Sequence, residues 1–193
     1  MTEGNPRVVI VDCGSSKVPI IGAMLEDLGA VPHVIYPSQL AALASDLPAA
    51  IILSGNPALI RDTGTGFLED FEVLRTLSLP ILGICFGHQV IGLLFDAEVS
   101  IGKEDRDLRH MDILQTDPLF TGLSGNDEFQ EDHTEEITLP RNFIHVATSS
   151  HCFNEAMMHR ERPIYGVQFH PESSGSAGKA LITNFLSVAE QLA

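Results

Sequence analysis

Cys85 stands between two glycines, in Gly83-Ile84-Cys85-Phe86-Gly87, directly after the apolar stretch Leu79-Pro80-Ile81-Leu82. A nucleophile at the turn between a buried strand and a helix is held clear of the sheet, and flanking glycines supply the side-chain-free backbone that so abrupt a reversal needs. The free N–H groups of the helix that follows face the sulfur and favour its thiolate. A buried free cysteine is otherwise only a small hydrophobe, so the elbow needs partners. They come from the far end of the chain, where Pro163-Ile-Tyr-Gly-Val-Gln168-Phe-His170-Pro-Glu172 reads as an extended apolar strand ending in a histidine and a glutamate two residues apart. Positions i and i+2 of a strand share a face, which sets the Glu172 carboxylate beside the His170 imidazole and fixes its tautomer. Cys85, His170 and Glu172 then make a nucleophile, a base and its orienter, provided the fold brings them together.

A third element is Ala49-Ala-Ile-Ile-Leu-Ser54-Gly55-Asn56-Pro57, a buried-strand pattern that ends in small residues. A glycine at the carboxyl end of a strand lets a backbone N–H approach a substrate closely, and such groups build oxyanion holes. Standing alone, Ser-Gly-Asn-Pro is a turn.

Together these pieces resemble the class I (triad) glutamine amidotransferases, whose hallmarks are a Gly-x-Cys-x-Gly-x-Gln elbow, an upstream Ser-Gly-Gly-Pro loop and a terminal Phe-His-Pro-Glu. Here they are matched by Gly83 to Gln89, Ser54 to Pro57 and Phe169 to Glu172. The resemblance spans about residues 8–186 and implies a flavodoxin-like α/β fold. It also implies that Cys85 is the nucleophile, His170 the general acid and base, and Glu172 its orienter. The N–H groups of Gly55 and Phe86 become the oxyanion hole, and Gln89 and the Asp132-His133 pair become substrate-binding residues. The implied reaction is hydrolysis of the glutamine side-chain amide through a cysteine thioester, with neither metal nor cofactor. Within the family, Asp117-Pro-Leu-Phe-Thr-Gly-Leu123 and the stretch 155–172 look most like the glutaminase subunit or domain of GMP synthases. That likeness implies a separate ATP-dependent synthetase as partner, since the chain has no room for an acceptor-activating domain.

Some positions depart from the family pattern. Asn56 replaces the second glycine of the oxyanion loop, Asp96-Ala97 replaces a Gly-Gly pair after the elbow helix, and Asp132 replaces the serine of a Ser-His pair whose backbone contacts glutamine. An inward Asp132 would repel a substrate α-carboxylate, so either it points outward or the preferred substrate is another γ-glutamyl amide. Ser173-Ser174 after Pro171-Glu172 looks more like the amidotransferase subunits of anthranilate and aminodeoxychorismate synthases. The alternatives are therefore such a component, a stand-alone amidase or γ-glutamyl hydrolase, and a non-catalytic glutamine-binding relative.

The elements that must position these residues alternate between strands and helices. Strands are expected over 7–12, 32–36 and up to Ser54, with helices over 18–28, from a Ser38 cap to 44, and near 67–77, and with strand, elbow and helix over 80–95. Beyond residue 97 shorter strands around 98–101, 108–114, 129–132 and 144–148 suggest an antiparallel extension of the same sheet, closed by a helix over 178–191. This predicts an α/β chain, one domain over 1–193, with a doubly wound, mostly parallel open sheet and function at the carboxyl ends of its strands. Asp12 ends the first strand as in phosphate-receiving domains, but the third strand ends in Ser54 where such a domain needs aspartate; Asp12 is expected to orient loop backbone instead.

At 193 residues the chain is long enough to bury roughly 70% of the surface its unfolded form exposes. With 11 basic against 26 acidic residues and a formal charge of −15, it is a poor binder of nucleic acid phosphates. The acids at Asp127, Glu128, Glu131, Asp132, Glu135 and Glu136 read as a solvated face or, less simply, a surface for a basic partner. Eight histidines raise the question of metal, yet His145, His151, His159 and Cys152 have no zinc spacing and there is no Cys-x-x-Cys, so no metal is expected. No apolar run approaches the roughly 20 residues of a membrane span. The polar start Met1-Thr-Glu-Gly-Asn-Pro-Arg7 lacks signal-peptide character, and the few cysteines suit a reducing cytoplasm.

Overall fold

The computed structural model describes residues 5–115 and 117–192, so the start of the N-terminal segment, residues 1–4, lies outside it. β1 (Arg7–Val11) is almost wholly buried because helices cover both faces of the sheet. α1 (Val18–Asp27) follows, burying Val18, Ile21 and Leu25 on one helical stripe. β2 (Val31–Ile35) is an edge strand, which suits its Pro32 and its exposed Val31 and Val34.

The next segment, Pro37–Ser45, is a 3₁₀ helix, and Ser38 does not cap it. Pro37 opens the first turn, so Tyr36 precedes it and donates its N–H to Gln39 Oε1 at 2.8 Å. After β3 (Ala50–Leu53) and the single turn α2 (Ile60–Thr63), the segment Gly66–Arg75 is likewise 3₁₀ where the sequence pattern predicts an α-helix. Spacing explains both. Leu40 and Leu43 in one segment, and Leu68, Phe71 and Leu74 in the other, recur every third residue, the period at which 3₁₀ side chains eclipse on one face.

β4 (Ile81–Ile84) and α3 (Phe86–Leu94) flank Cys85 and are buried nearly throughout. Then come β5 (Val99–Asp105), β6 (Leu108–His110), β7 (Asp112–Ile113), β8 (Glu128–Gln130), β9 (His133–Ile137), β10 (Phe143–Thr148), β11 (Ala156–His159), β12 (Ile164–Val167) and the long α4 (Gly175–Leu192). The main sheet runs β2-β1-β3-β4-β12-β11-β10-β7, parallel from β2 through β12 and antiparallel beyond. The expected antiparallel extension is therefore present, but it does not take every later strand: β5 with β9 and β6 with β8 form separate two-stranded ribbons.

Alternate residues of the parallel strands feed two cores. Val8 and Ile10 pack with Tyr165, Phe185 and α4 on one face, Val9 and Val11 with Phe71, Phe143 and α3 on the other. Because β3, β4 and β12 are neighbours, their carboxyl ends converge, and with them the segments bearing Gly55, Cys85 and His170.

Candidate active site

The elbow owes its shape to two close approaches and one strained residue. A Cβ on Gly83 would lie 2.4 Å from the Gly87 carbonyl oxygen, outside the range of real contacts, and one on Gly87 would lie 2.5 Å from the Leu53 carbonyl oxygen. Positive φ belongs to Cys85 itself, at 50° with ψ −105°. A side-chain-bearing residue there is strained, and the surrounding packing holds it. Phe86, at the first position of α3, has no intrahelical acceptor for its N–H.

His170 and Glu172 meet by a route other than the one their spacing suggests. β12 stops at Val167, His170 is extended backbone, and Glu172 lies in the 3₁₀ turn Pro171–Ser173. The turn swings the Glu172 carboxylate back to place Oε1 2.7 Å from His170 Nδ1. The His170 backbone donates its N–H to the Gln130 carbonyl at 2.8 Å, and its carbonyl accepts the Ser174 hydroxyl at 2.6 Å. Gly178 lets α4 lie directly against this turn, since a Cβ there would fall 1.8 Å from the Pro171 carbonyl oxygen. Burial disfavours charge on the imidazole, but hydrogen bonds to Cys85 and then Glu172 outweigh it and raise the His170 pKa to about 10. The Cys85 sulfur also lies 3.6 Å from Gln168 Nε2 and 3.8 Å from the Asp132 carbonyl oxygen.

Gly55 faces both groups: a Cβ on it would lie 3.1 Å from His170 Cε1 and 3.8 Å from Cys85 Cβ. Its N–H finds no acceptor among the described residues. Asn56 keeps an ordinary negative φ and braces the loop, donating Nδ2 to the Cys13 carbonyl and accepting the Ala58 N–H at 2.7 Å. At the other departure after α3, Asp96 adopts φ 68°, the conformation a glycine takes freely. Asp12 accepts the Gly14 N–H at 2.8 Å, the loop-orienting role expected of it.

These groups open onto a pocket of about 410 Å³ whose lining includes Cys85, His170, Gln89, Asp132 and His133, together with Lys17 and Arg106. Gln89 is turned inward, donating Nε2 to the Glu135 carbonyl at 2.9 Å and to Gln168 Oε1 at 3.2 Å. His133 places Nδ1 3.2 Å from the Glu135 carbonyl oxygen. Asp132 is held between Lys17 Nζ, at 3.2 Å, and the Arg106 guanidinium. Partial burial raises its pKa, yet these cations together with His170 leave it lowered overall. Its charge is thus answered by two cations, and the simple choice between inward and outward does not describe it.

The acidic run is not one solvated face. Glu131 and Glu135 are buried, and Glu135 accepts the N–H groups of Ile60 at 2.7 Å and Arg61 at 3.0 Å, tying α2 to β9.

A family model for class I glutamine amidotransferases matches residues 9–189. The chain belongs to that family. This amidotransferase is 40% identical over 152 residues to the glutamine-hydrolysing subunit of a GMP synthase from Methanosarcina barkeri, covering 77% of this chain and 78% of the relative. It is 37% identical over 191 residues to the protein of the same name from Pyrococcus abyssi, covering 96% and 100%. A solved structure of a candidate GMP synthase subunit from Thermoplasma acidophilum superposes with a TM-score of 0.89 at 28% identity, covering 97% of this chain and 96% of that one. A Thermotoga maritima glutamine amidotransferase, at TM-score 0.72 and 19% identity over 97% of this chain and 85% of its own, shares the fold.

The amidotransferase pocket also contains residues that sequence reasoning does not find. Gln168 is adjacent to a hallmark motif, so its position is an available signal. Lys17 and Arg106 carry no local signal, because only the fold brings them to Asp132 from 115 and 26 residues away.

Proposed function

We propose that this chain, acting as one domain, hydrolyses the side-chain amide of glutamine and passes the ammonia to a separate ATP-dependent synthetase that makes GMP. The reading rests on one arrangement: Cys85, strained at the elbow, is hydrogen-bonded to an imidazole whose far nitrogen lies 2.7 Å from Glu172. The names of the relatives support the choice of acceptor.

In the reaction, the Cys85 thiolate attacks the δ-carbon of glutamine, and the carbonyl oxygen gathers negative charge against the N–H groups of Gly55 and Phe86. Protonated His170 gives its proton to the departing nitrogen, so ammonia leaves and a glutamyl thioester remains. Neutral His170 then takes a proton from water, hydroxide adds to the thioester, and glutamate departs as the thiolate re-forms. Glu172 holds the imidazole in one tautomer throughout. Gln89 and His133 shape the pocket around the amino-acid end of the substrate, while Lys17 and Arg106 balance Asp132, so a free glutamine carboxylate meets no net repulsion there.

Ammonia release measured with the chain alone and after adding the ATP-dependent synthetase component of a GMP synthase tests this proposal. Stimulation on mixing, with XMP-dependent GMP formation, is expected. Full activity alone would mean a stand-alone amidase, and silence in both conditions a non-catalytic relative.

A further inference from the structure

Glu131 and His133 flank Asp132, whose carbonyl faces the Cys85 sulfur, and their side chains run into the interior to meet Cys152 and Glu155. Ligand atoms of His133, Cys152 and Glu155 lie within 4.8 Å of one another, and Glu131 Oε2 is 3.2 Å from His133 Nε2. All four side chains are more than nine-tenths buried. Both oxygens of Glu131, both of Glu155 and His133 Nε2 lack hydrogen-bond partners among the described residues.

Two buried carboxylates without donors are unfavourable unless positive charge lies between them. Asp105 nearby shows the contrast, because Arg109 Nε reaches its two oxygens at 3.1 and 2.8 Å and is thereby occupied. The His133 tautomer sharpens the argument. Its Nδ1 faces a carbonyl oxygen, which can only accept, so Nδ1 carries the proton and Nε2 turns a lone pair toward the Glu131 carboxylate. An imidazole oriented through Nδ1 with its free Nε2 facing a thiol and carboxylates is the arrangement of a metal ligand.

We propose that His133 Nε2, Cys152 Sγ and the carboxylates of Glu155 and Glu131 bind one divalent transition-metal cation, Zn²⁺ fitting best. A mixed nitrogen, sulfur and oxygen set of four suits tetrahedral zinc, and no position remains for water, which makes the site structural. Burial and the neighbouring carboxylates push the Cys152 thiol up and raise the Glu155 pKa, as expected where the compensating charge is missing; a cation reverses both. The ligands come as two short pairs, Glu131-x-His133 and Cys152-x-x-Glu155, which escape a search for cysteine and histidine spacings. Bound metal clamps the segment before β11 against the backbone that presents Asp132 to Cys85, and so positions the pocket without touching substrate.

The test uses the full chain carrying Cys85→Ala, so that the elbow thiol cannot bind metal, stripped with chelator and titrated with Co²⁺ and then Zn²⁺. One equivalent of Co²⁺ is expected to give the intense visible bands of a tetrahedral site and a thiolate charge-transfer band, both erased by Zn²⁺, with Zn²⁺ raising the thermal midpoint. Adding Cys152→Ser removes the charge-transfer band, and adding Glu155→Gln instead weakens Zn²⁺ binding at least tenfold. A folded protein that shows no cobalt bands and no zinc-dependent midpoint overturns the proposal. So does one that Glu155→Gln stabilises without changing metal binding, since a shared proton then occupies the cluster.

Discussion

The side-chain nitrogen of Gln168 lies 3.6 Å from the Cys85 sulfur, while its oxygen accepts the Gln89 amide at 3.2 Å. Gln89 thereby orients Gln168 so that a donor, and not its carbonyl, faces the thiolate. A hydrogen bond to a charged group contributes about 1.5–3 kcal/mol. Gln168→Leu is therefore expected to lower kcat/KM about tenfold to a hundredfold in a steady-state glutaminase assay, with the fold retained by circular dichroism. An unchanged rate would mean that Gln168 only fills space.

Cys85 combines nucleophile and backbone strain at one residue. Cys85→Ala and Cys85→Gly should both abolish turnover, yet differ in stability. Alanine keeps the penalty of φ 50°, whereas glycine adopts that conformation freely, so the glycine variant should be about 1 kcal/mol more stable by urea unfolding. Equal stabilities would show that the packing around the elbow imposes no such cost.

The sequence makes the central site legible because its parts are local: an elbow needs glycines at fixed offsets, and a histidine two residues from a glutamate can reach it. The geometry behind that last step is not legible, since the apolar run through Phe169 conceals that β12 ends at Val167 and a 3₁₀ turn carries Glu172. The same limit applies to the segments at Pro37–Ser45 and Gly66–Arg75, where apolar residues three apart satisfy both helix types. Charge patterning misleads more seriously. Alternation on β9 sends Glu135 inward and Glu136 partly outward, so a run of acids that reads as one solvated face is divided between core and surface.

Glu172 has a measurable signature in the pH dependence of stability. The His170 pKa rises from its ordinary 6.5 to about 10, with hydrogen bonds to Cys85 and Glu172 overcoming the opposing effect of burial. The folded state thus holds this proton more tightly than the unfolded chain does. The resulting stabilisation is complete just below pH 6.5 and disappears as pH rises through about 10. Glu172→Gln removes one of the two groups responsible. The gap in urea midpoint between wild type and variant should be widest at the lower end of that window and close at the upper end; a gap independent of pH would refute the assignment.

Gly55 is tightly opposed to the imidazole. In Gly55→Ala the new methyl group comes 3.1 Å from His170 Cε1, so the ring must shift by a few tenths of an ångström. Stability should fall by only about 1 kcal/mol. Displacing the base and the neighbouring N–H together should cost more in rate, about tenfold or greater in kcat. A variant with wild-type kcat would remove Gly55 from the catalytic geometry.

Lys17 and Asp132 should be coupled in substrate binding. Lys17 Nζ lies 3.2 Å from Asp132 Oδ2, while Arg106, the second partner, is largely exposed and also holds Glu104 at 2.7 Å. Lys17→Met therefore leaves Asp132 under-compensated beside the amino-acid end of the pocket, and KM for glutamine should rise about fivefold with kcat nearly unchanged, the pattern of lost uniform binding. If the effect comes from the uncovered carboxylate, adding Asp132→Asn must recover most of the loss. A double-mutant cycle in KM measures that recovery directly. Additive losses would instead mean that Lys17 contacts glutamine itself, with Asp132 merely holding the lysine in place.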